Sequence, residues 1–558
     1  MNNLIVSSIF DDIMNLLKIK GANSYKIRAY ERASKLIRDL EVDVAQLIKE
    51  GRLTEISGIG ESLAENIKEI VETGSCEDYN LLINEYPATL ISLLKVSGVG
   101  ASKVRQFYNE LGIKDLNDLK KKAEVGVLSQ LSGIGPKTEN KILESIDKLL
   151  SEKDKFNLGE ATHLANQLKD YIEAFKEVDN VKVTGAIRRK EEVIDQIDLV
   201  IATDNFNKTV ERLEKISIIS NIDKLAHQTL VVDTKLGIKI KISVTDNRSF
   251  WEEVFWSTAS KEYSQRLQEI IDDKGKDTSI DDFKDEQEMF KSLNLPYIIP
   301  ELRDDLESID RAQNYKLPNS IELKDIKGDL HMHSRWSDGR YTIKEMARAC
   351  QQKGYKYMAI CDHTQSLTVA NGLSPDRLKS QWEEIDKLNE SLDITILKGA
   401  EVDILAEGLD YSDDILAQLD IVIASIHSGF NNSSEKMMER IIRALEHPHV
   451  HILAHPTGRI VLGRGAYNID FERFIHKAIE TNTILEINAS PKRLDLNHQQ
   501  VKLAHQLGAK FIINTDAHKT KDLDNMGIGV SVARKGWLEK DDVINTLELS
   551  EFKKLLAK

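Results

Sequence analysis

Six short apolar segments recur beyond residue 350 of the chain: YMAICDH (357–363), ITILKGAEVDI (394–404), IVIASIH (421–427), VHILAHP (450–456), TILEIN (483–488) and KFIINTDAH (510–518). Stretches of helical pattern separate them. A short apolar run with polar bounds reads as a buried strand, and its alternation with helices predicts a parallel βα sheet or barrel from Asp325 onward. Most of these segments carry a histidine, glutamate or aspartate at or near their C-terminal end. In a βα barrel the C-terminal strand ends form one functional face, so those side chains are expected to converge.

The converging set has nine members. His331 and His333 stand two residues apart after a short apolar stretch. Alternate residues of a strand share a face, which lets both imidazoles reach one ion. Asp338 follows in SRWSDG, then His363, Glu401, His427, His455, Asp516 and His518. Of the 14 histidines in the chain, 12 lie beyond residue 330, so this part is chemically distinct. Asp403, two after Glu401, is expected on the same strand face as a supporting carboxylate. His447, His449 and His451 in HPHVH read instead as helix-end and strand-start residues.

The set is imidazole and carboxylate without thiolate. The three cysteines, Cys76, Cys350 and Cys361, are scattered and form no CxxC pair. That donor set suits zinc, manganese or iron, and nine donors exceed the needs of one tetrahedral ion, so two or three divalent ions are expected. A multinuclear cluster can supply hydroxide at neutral pH and hold both the attacking and leaving oxygens of a phosphoester. Glu401 is the expected bridging ligand. His331, His333, Glu401 and Asp516 are the expected catalytic centre.

Residues 1–150 have a different pattern. Helices alternate with short turns, and one motif appears three times: LTEISGIGESLAENIKEIVETG (53–74), LLKVSGVGASKVRQFYNELG (93–112) and LSQLSGIGPKTENKILESI (128–146). Its glycine pairs are Gly58 and Gly60, Gly98 and Gly100, Gly133 and Gly135. They permit a tight turn in which the backbone approaches a ligand closely, and the next helix presents free N–H groups. Such a device holds a nucleic-acid phosphate without reading bases. Lys103 and Lys137 follow the second and third turns, whereas the first has Glu61, Ser62 and Leu63.

Between these parts, VDNVKVTGAIRRK and DQIDLVIAT read as strands with a turn and basic pair between them, and 235–245 alternates like a strand. Residues 246–318 are polar and mixed. The hydrophobic fraction of 41% and charged fraction of 30% fit a soluble, folded chain. A net charge of −15 disfavours coating of nucleic acid by bulk charge, but not local phosphate grips. No run of apolar residues is long enough to span a membrane, and the acidic start MNNLIVSSIFDD is unlike a signal peptide. Reducing cytoplasm and a monomer are the expectations.

These motifs resemble known families. GDLHMHSRWSDG, AICDHT, GAEVDI, ASIHSG, LAHPTGR and NTDAH resemble the PHP (polymerase and histidinol phosphatase) domain, with every ligand position of that motif filled. The resemblance implies a distorted seven-stranded (βα)7 barrel, a trinuclear cluster and phosphoester hydrolysis. Arg459, Arg464, Lys492 and Arg493 are candidates to hold the substrate phosphate. The three glycine turns resemble helix–hairpin–helix motifs. NSYKIRAYERAS, GAIRRKEE, SKE and LPYIIPELR resemble family X DNA polymerases, and the whole chain is similar to the bacterial members of that family.

The resemblance implies a multidomain α/β architecture. Its parts are a helical DNA-binding domain (1–80), a fingers-like region (81–150), a palm-like domain (151–245), a thumb-like domain (246–318) and a PHP domain (325–558). It also exposes departures. The family pattern is Gly-Ser-x-Arg-Arg, then Asp-x-Asp, then a third Asp. Aligned on Gly185, Arg188 and Arg189, the serine is Ala186, the first aspartate is Gln196, and only Asp198 is retained. Lys241 occupies the third position, and a glycine of the nucleotide-binding turn is Ala259. A one-residue slip would offer Asp195 but put it out of phase with Asp198. Lysine in place of a metal carboxylate reverses the sign of such a site, so an inactive polymerase centre without magnesium is expected. Asn66 stands near the place of the lyase lysine of animal relatives. The expected activity is 3′–5′ hydrolysis at DNA 3′ ends, gaps or nicks. An active repair polymerase with an associated exonuclease, and a DNA-binding scaffold with a structural metal cluster, are the alternatives.

Overall fold

The computed structural model describes residues 2–38, 40, 42–152, 154–273 and 283–556. Residues 274–282 of the expected thumb-like stretch lie outside the described residues. The chain divides into two compact units. One comprises Met1–Lys155, Asn166–Val181 and Ile201–Val244, and the other Phe156–Ala165, Lys182–Val200 and Thr245–Lys558.

Up to Ser151 the described residues of the first unit form helices joined by short turns, as the sequence pattern predicts. Its helices are amphipathic. Helix Glu61–Thr73 buries Ala64, Ile67 and Ile70 along one stripe and stops at Gly74, whose φ of +83° is the left-handed conformation that ends helices.

The strands that follow are β1 (Phe156–Asn157), β2 (Val178–Thr184), β3 (Val193–Ile194), β4 (Gln196–Thr203), β5 (Ile219–Lys224), β6 (Thr229–Thr234) and β7 (Lys239–Thr245). A five-stranded sheet has the order β2-β4-β7-β6-β5, and β1 pairs antiparallel with β3. Two details differ from the sequence reading. The expected strand at 235–245 begins only at Lys239, because Gly237 at φ +89° turns the chain between β6 and β7. The strand through VDNVKVTGAIRRK stops at Thr184, and Gly185–Arg188 form a helical turn. Gly185 has φ +60°, and a Cβ there would lie 2.1 Å from the Asp198 carboxylate, so both the conformation and the space require glycine.

In the second unit seven parallel strands form the expected (βα)7 barrel. They are β8 (Gly328–Asp329), β9 (Tyr357–Ile360), β10 (Thr395–Asp403), β11 (Ile421–Ser425), β12 (Ile452–Leu453), β13 (Ile484–Asn488) and β14 (Phe511–Asn514). Their order runs without interruption from β14 to β8. Beyond the strand ends, Met332 bridges to Ala517 and the His333 N–H donates to the Ala517 carbonyl at 2.8 Å, which brings the two edges together.

Period-two alternation sorts the side chains. Leu330, Tyr357, Ala359, Cys361, Leu397, Ile421, Ile423, Ile452, Ile484 and Ile512, drawn from all seven strands and their ends, share one buried cluster. Met358, Ile360, Val422, Ala424, Leu485 and Ile513 belong to a second cluster with the helices. The inner phase turns polar towards the C-terminal ends: Cys361 is followed by His363, Gly399 by Glu401 and Asp403, and Ile423 by Ser425 and His427. Ile484 is likewise followed by Glu486 and Asn488, and Ile512 by Asn514 and Asp516. The fold thus stacks an apolar plug under a polar mouth.

Candidate metal centre

All nine sequence-predicted ligand residues meet at that mouth. Glu401 is its hub. Its Oε1 lies 2.9 Å from His455 Nε2 and 3.3 Å from His427 Nε2. Its Oε2 lies 2.9 Å from His363 Nδ1, 3.4 Å from His331 Nε2 and 3.6 Å from His333 Nε2. Asp516 Oδ1 is 3.2 Å from His333 Nε2 and 3.7 Å from both His331 Nε2 and His518 Nδ1. Asp338 closes the outer side, 3.4 Å from His518 and 3.8 Å from His363. Among the described residues three overlapping groups could each hold an ion: His333, Asp338, His363 and His518; His331, His333 and Asp516; and His363, Glu401 and His427.

The residues fit metal ions on an independent ground. His331 Nε2, His333 Nδ1, His363 Nδ1, Glu401 Oε2 and His455 Nδ1 are buried and make no hydrogen bond. A buried polar atom left so costs about 1–3 kcal/mol, and a cation at the centre of the group supplies the partner for those that face it. Glu401 and His333 also stand in the protonation states that ligands take. Burial pushes Glu401 upward, yet the facing imidazoles of His363, His427 and His331 hold it well below the ordinary carboxylate range. Burial, and then His518 and His363, push His333 down to about 3, which leaves it neutral. An ionised carboxylate and a neutral imidazole are the ligand forms. His455 and Asp516 adopt positive φ, +29° and +53°, a strained conformation for such residues that concentrates at functional sites.

Outer partners orient the imidazoles. Asp403 Oδ1 lies 2.7 Å from His427 Nδ1, as its place on the strand implied, and directs the other ring nitrogen to Glu401. Glu486, which the sequence reading passed over, is fully buried and 2.7 Å from His331 Nδ1. It also accepts the His455 N–H at 2.7 Å and the side-chain amides of Asn488 and Asn514. Its signal was present: a carboxylate on the inner phase of ILEIN, where an apolar residue was due. Asp362 accepts from Ser334, Ser337 and Gln381 and pins the loop that carries Asp338.

The four predicted phosphate-binding cations lie on two loops beside the centre. Arg493 Nε is 3.4 Å from Asp516. Arg459 donates to the Arg493 carbonyl at 2.9 Å, and the Val461 N–H to the Lys492 carbonyl at 2.8 Å, so the loops are joined. Arg464 stacks 3.5 Å over the Phe430 ring and donates to the Gly458 carbonyl. The cluster of His447, His449 and His451 stays apart, between helix Ser434–Leu445 and β12.

The polymerase-like positions have another geometry. Gln196 and Asp198 share a face of β4, and the Gln196 amide donates to Asp198 Oδ1 at 2.7 Å. Asp195 precedes β4 and is exposed. Arg188 donates to both Glu286 oxygens and to Thr258 Oγ1, and Arg189 donates to the Thr258 carbonyl next to Ala259. Ala186 accepts the Glu191 N–H through its carbonyl. Lys241 is exposed on β7 between buried Ile240 and Ile242. Asn66 donates to the Tyr30 hydroxyl at 2.8 Å.

The three glycine motifs share one form. Gly58, Gly98 and Gly133 have φ of +102°, +76° and +81°. Gly60, Gly100 and Gly135 then cap helices Glu61–Thr73, Ala101–Leu111 and Pro136–Ser151 without a side-chain hydrogen bond, so their first N–H groups have no side-chain cap. Lys103 folds back onto the Gly98 carbonyl at 2.9 Å, and Lys137 lies in the first turn of its helix.

Comparison with known proteins gives separate matches along the chain. Residues 1–76 match the family model of a helix-hairpin-helix domain, residues 90–148 that of a SAM-like helix-hairpin-helix tandem, and residues 329–490 that of the PHP domain. A probable phosphatase of Thermoanaerobacter sp. (strain X514) is 33% identical over 231 residues, covering 39% of this chain and 89% of that protein. One from Syntrophotalea carbinolica is 28% identical over 233 residues, covering 39% and 92%. The DNA polymerase/3′-5′ exonuclease PolX of Bacillus subtilis (strain 168) is 38% identical over 577 aligned positions, covering 100% of both chains. An identity of that extent, with helix-hairpin-helix and PHP matches in the order the fold displays, means that this chain belongs to the bacterial PolX family of family X DNA polymerases with a C-terminal PHP domain.

Proposed function

We propose that the chain is a metal-dependent phosphodiesterase that removes nucleotides from DNA 3′ ends, with an inactive polymerase-like centre. The observation that carries this is the convergence of nine imidazole and carboxylate side chains with Glu401 at their hub, in a chain whose other end bears three hairpins of phosphate-binding form. Two or three zinc, manganese or iron ions, when bound, supply activated water and neutralise charge on the phosphoester oxygens. The ligands are His331, His333, Asp338, His363, Glu401, His427, His455, Asp516 and His518. Asp403 and Glu486 hold His427 and His331 with one ring nitrogen turned inward. Arg493, beside Asp516, receives the substrate phosphate, and Arg459, Arg464 and Lys492 extend that positive rim. The hairpins, with Lys103 and Lys137, hold the DNA backbone at gaps, nicks or 3′ ends.

The test is degradation of a 3′-labelled oligonucleotide by the full chain and by a double His331→Ala, His333→Ala variant, with elemental analysis of both. Loss of degradation and of bound ions is expected. Undiminished degradation overturns the reading.

The name of the Bacillus relative favours a second reading, a working repair polymerase. Against it stands a chemistry of position. Where two carboxylates are needed, Gln196 donates a hydrogen bond to Asp198, and Lys241 contributes a positive charge. Two magnesium ions bracing a triphosphate need acidic ligands. Primer extension with deoxynucleotides and magnesium is therefore expected to give no product. Extension that vanishes in Asp198→Ala would establish the second reading.

A further inference from the structure

The acidic end of the GAIRRKEE segment faces the barrel. Glu192 Oε2 and Arg459 Nη2 are 2.5 Å apart, with the two side chains only 21% and 14% exposed. Arg459 passes the contact on, since its Nε donates to the Arg493 carbonyl, and the Arg493 guanidinium reaches Asp516 at the metal centre. Two neighbouring contacts fix the same pieces of chain. Gly159 packs so closely on Pro491 that a Cβ would lie 2.6 Å from its ring. The buried Lys535 amine donates to the Arg189 carbonyl at 3.3 Å and to Asp304 at 2.6 Å.

We infer that Glu192 is a positioning residue for phosphoester hydrolysis, acting through Arg459 to hold the 488–495 loop and its Arg493 against the metal centre. This rests on the assignment of the basic rim to the substrate phosphate. Arg459, Arg464, Lys492 and Arg493 place four cations on two joined loops, and like charges in one region repel. Asp516 faces Arg493, and one further carboxylate on Arg459 offsets more of that repulsion, yet leaves the rim positive enough for a phosphate. Glu192 supplies it from outside both loops, so it can fix Arg459 without occupying the face turned to the centre. A segment that resembles a nucleotide grip thereby serves the other active site.

The test uses the full chain with Glu192→Ala, Arg459→Ala and their double variant, read as KM and kcat on a 3′-labelled single strand and as ion content. Each single change is expected to raise KM about five- to tenfold, with kcat within about twofold and ion content unchanged. The double variant is expected to match Arg459→Ala alone, because the two side chains act as one unit. Glu192→Gln, which keeps an acceptor for Arg459, is expected to recover most of the wild-type KM. Glu192→Ala without effect beside an impaired Arg459→Ala overturns the inference, as does a double variant whose losses multiply. If Arg459→Ala is also without effect, the basic-rim assignment falls and takes the inference with it. Loss of hydrolysis in the His331, His333 variant is judged separately.

Discussion

Replacing Glu401 by alanine is expected to lower hydrolysis of a 3′-labelled strand by at least about a thousandfold, equivalent to about 4 kcal/mol of transition-state stabilisation. The size follows from the number of groups that depend on one carboxylate. Its two oxygens are within 3.6 Å of five imidazoles, His331, His333, His363, His427 and His455. Removing it takes a negative charge from the middle of a buried cluster and leaves those rings facing a cavity. Purified protein should lose at least one ion per chain. Glu401→Gln separates ligation from packing: it keeps the volume and loses the charge, so it should fold as the wild type and still be inactive. Asp403→Ala should do less, about 10–100-fold, because it orients one ligand only. Full ion content with wild-type hydrolysis in Glu401→Gln would remove Glu401 from the centre.

Much of this site was legible because a barrel strand leaves polar residues few innocent places. The inner phase of each strand must be apolar below the mouth, so Glu401, His427 and Asp516 at strand ends declare themselves. The barrel itself was legible for the same reason, since short apolar segments recurring between helical stretches have few other folds. His331 and His333 stand at the mouth, although the strand before them ends at Asp329 and the Met332–Ala517 bridge holds them instead.

Other features leave no periodic trace. Glu486 reads as one more strand residue until its partners His331 and His455 are known, and these are contributed by two other segments of the barrel. The role of Glu192 depends on Arg459, 267 residues away in the chain. Arg188 was recognised as part of a nucleotide-binding pattern, and nothing in that pattern announces Glu286, 98 residues on, as its partner. Ion pairs are chosen by the folded backbone, and sequence spacing records only partners that lie on one element.

That last pair carries a large predicted effect on stability. Glu286 accepts from Arg188 Nη1 at 2.9 Å and, through very short contacts, from Arg188 Nη2 and Arg303 Nη1. Arg303 is fully buried, donates to the Ile298 carbonyl, and lies among the rings of Phe255, Phe290 and Tyr297 at 5.6, 5.0 and 5.4 Å. Those rings favour a cation but do not neutralise it. Glu286→Ala therefore strands a buried positive charge and is expected to destabilise this region by about 3–5 kcal/mol. Arg188→Ala should cost less, because Glu286 keeps Arg303 as its counter-charge. Tryptophan fluorescence during urea unfolding reads the difference, since Trp256 packs on Phe255 and Trp537 joins the same apolar cluster. The pH dependence has a fixed sign. Burial raises the Glu286 pKa, but Arg303 and Arg188 outweigh it and hold the group below the ordinary glutamate value of 4.5. Its contribution is complete above that value and is lost as pH falls through the depressed folded value, so the gap between wild type and Glu286→Ala should narrow in acid. Equal unfolding midpoints at neutral pH would mean that Arg303 finds another counter-charge. A full gap, with a smaller one for Arg188→Ala, would mean that Glu286 serves this segment chiefly as the counter-charge of buried Arg303, with Arg188 held between Glu286 and Thr258.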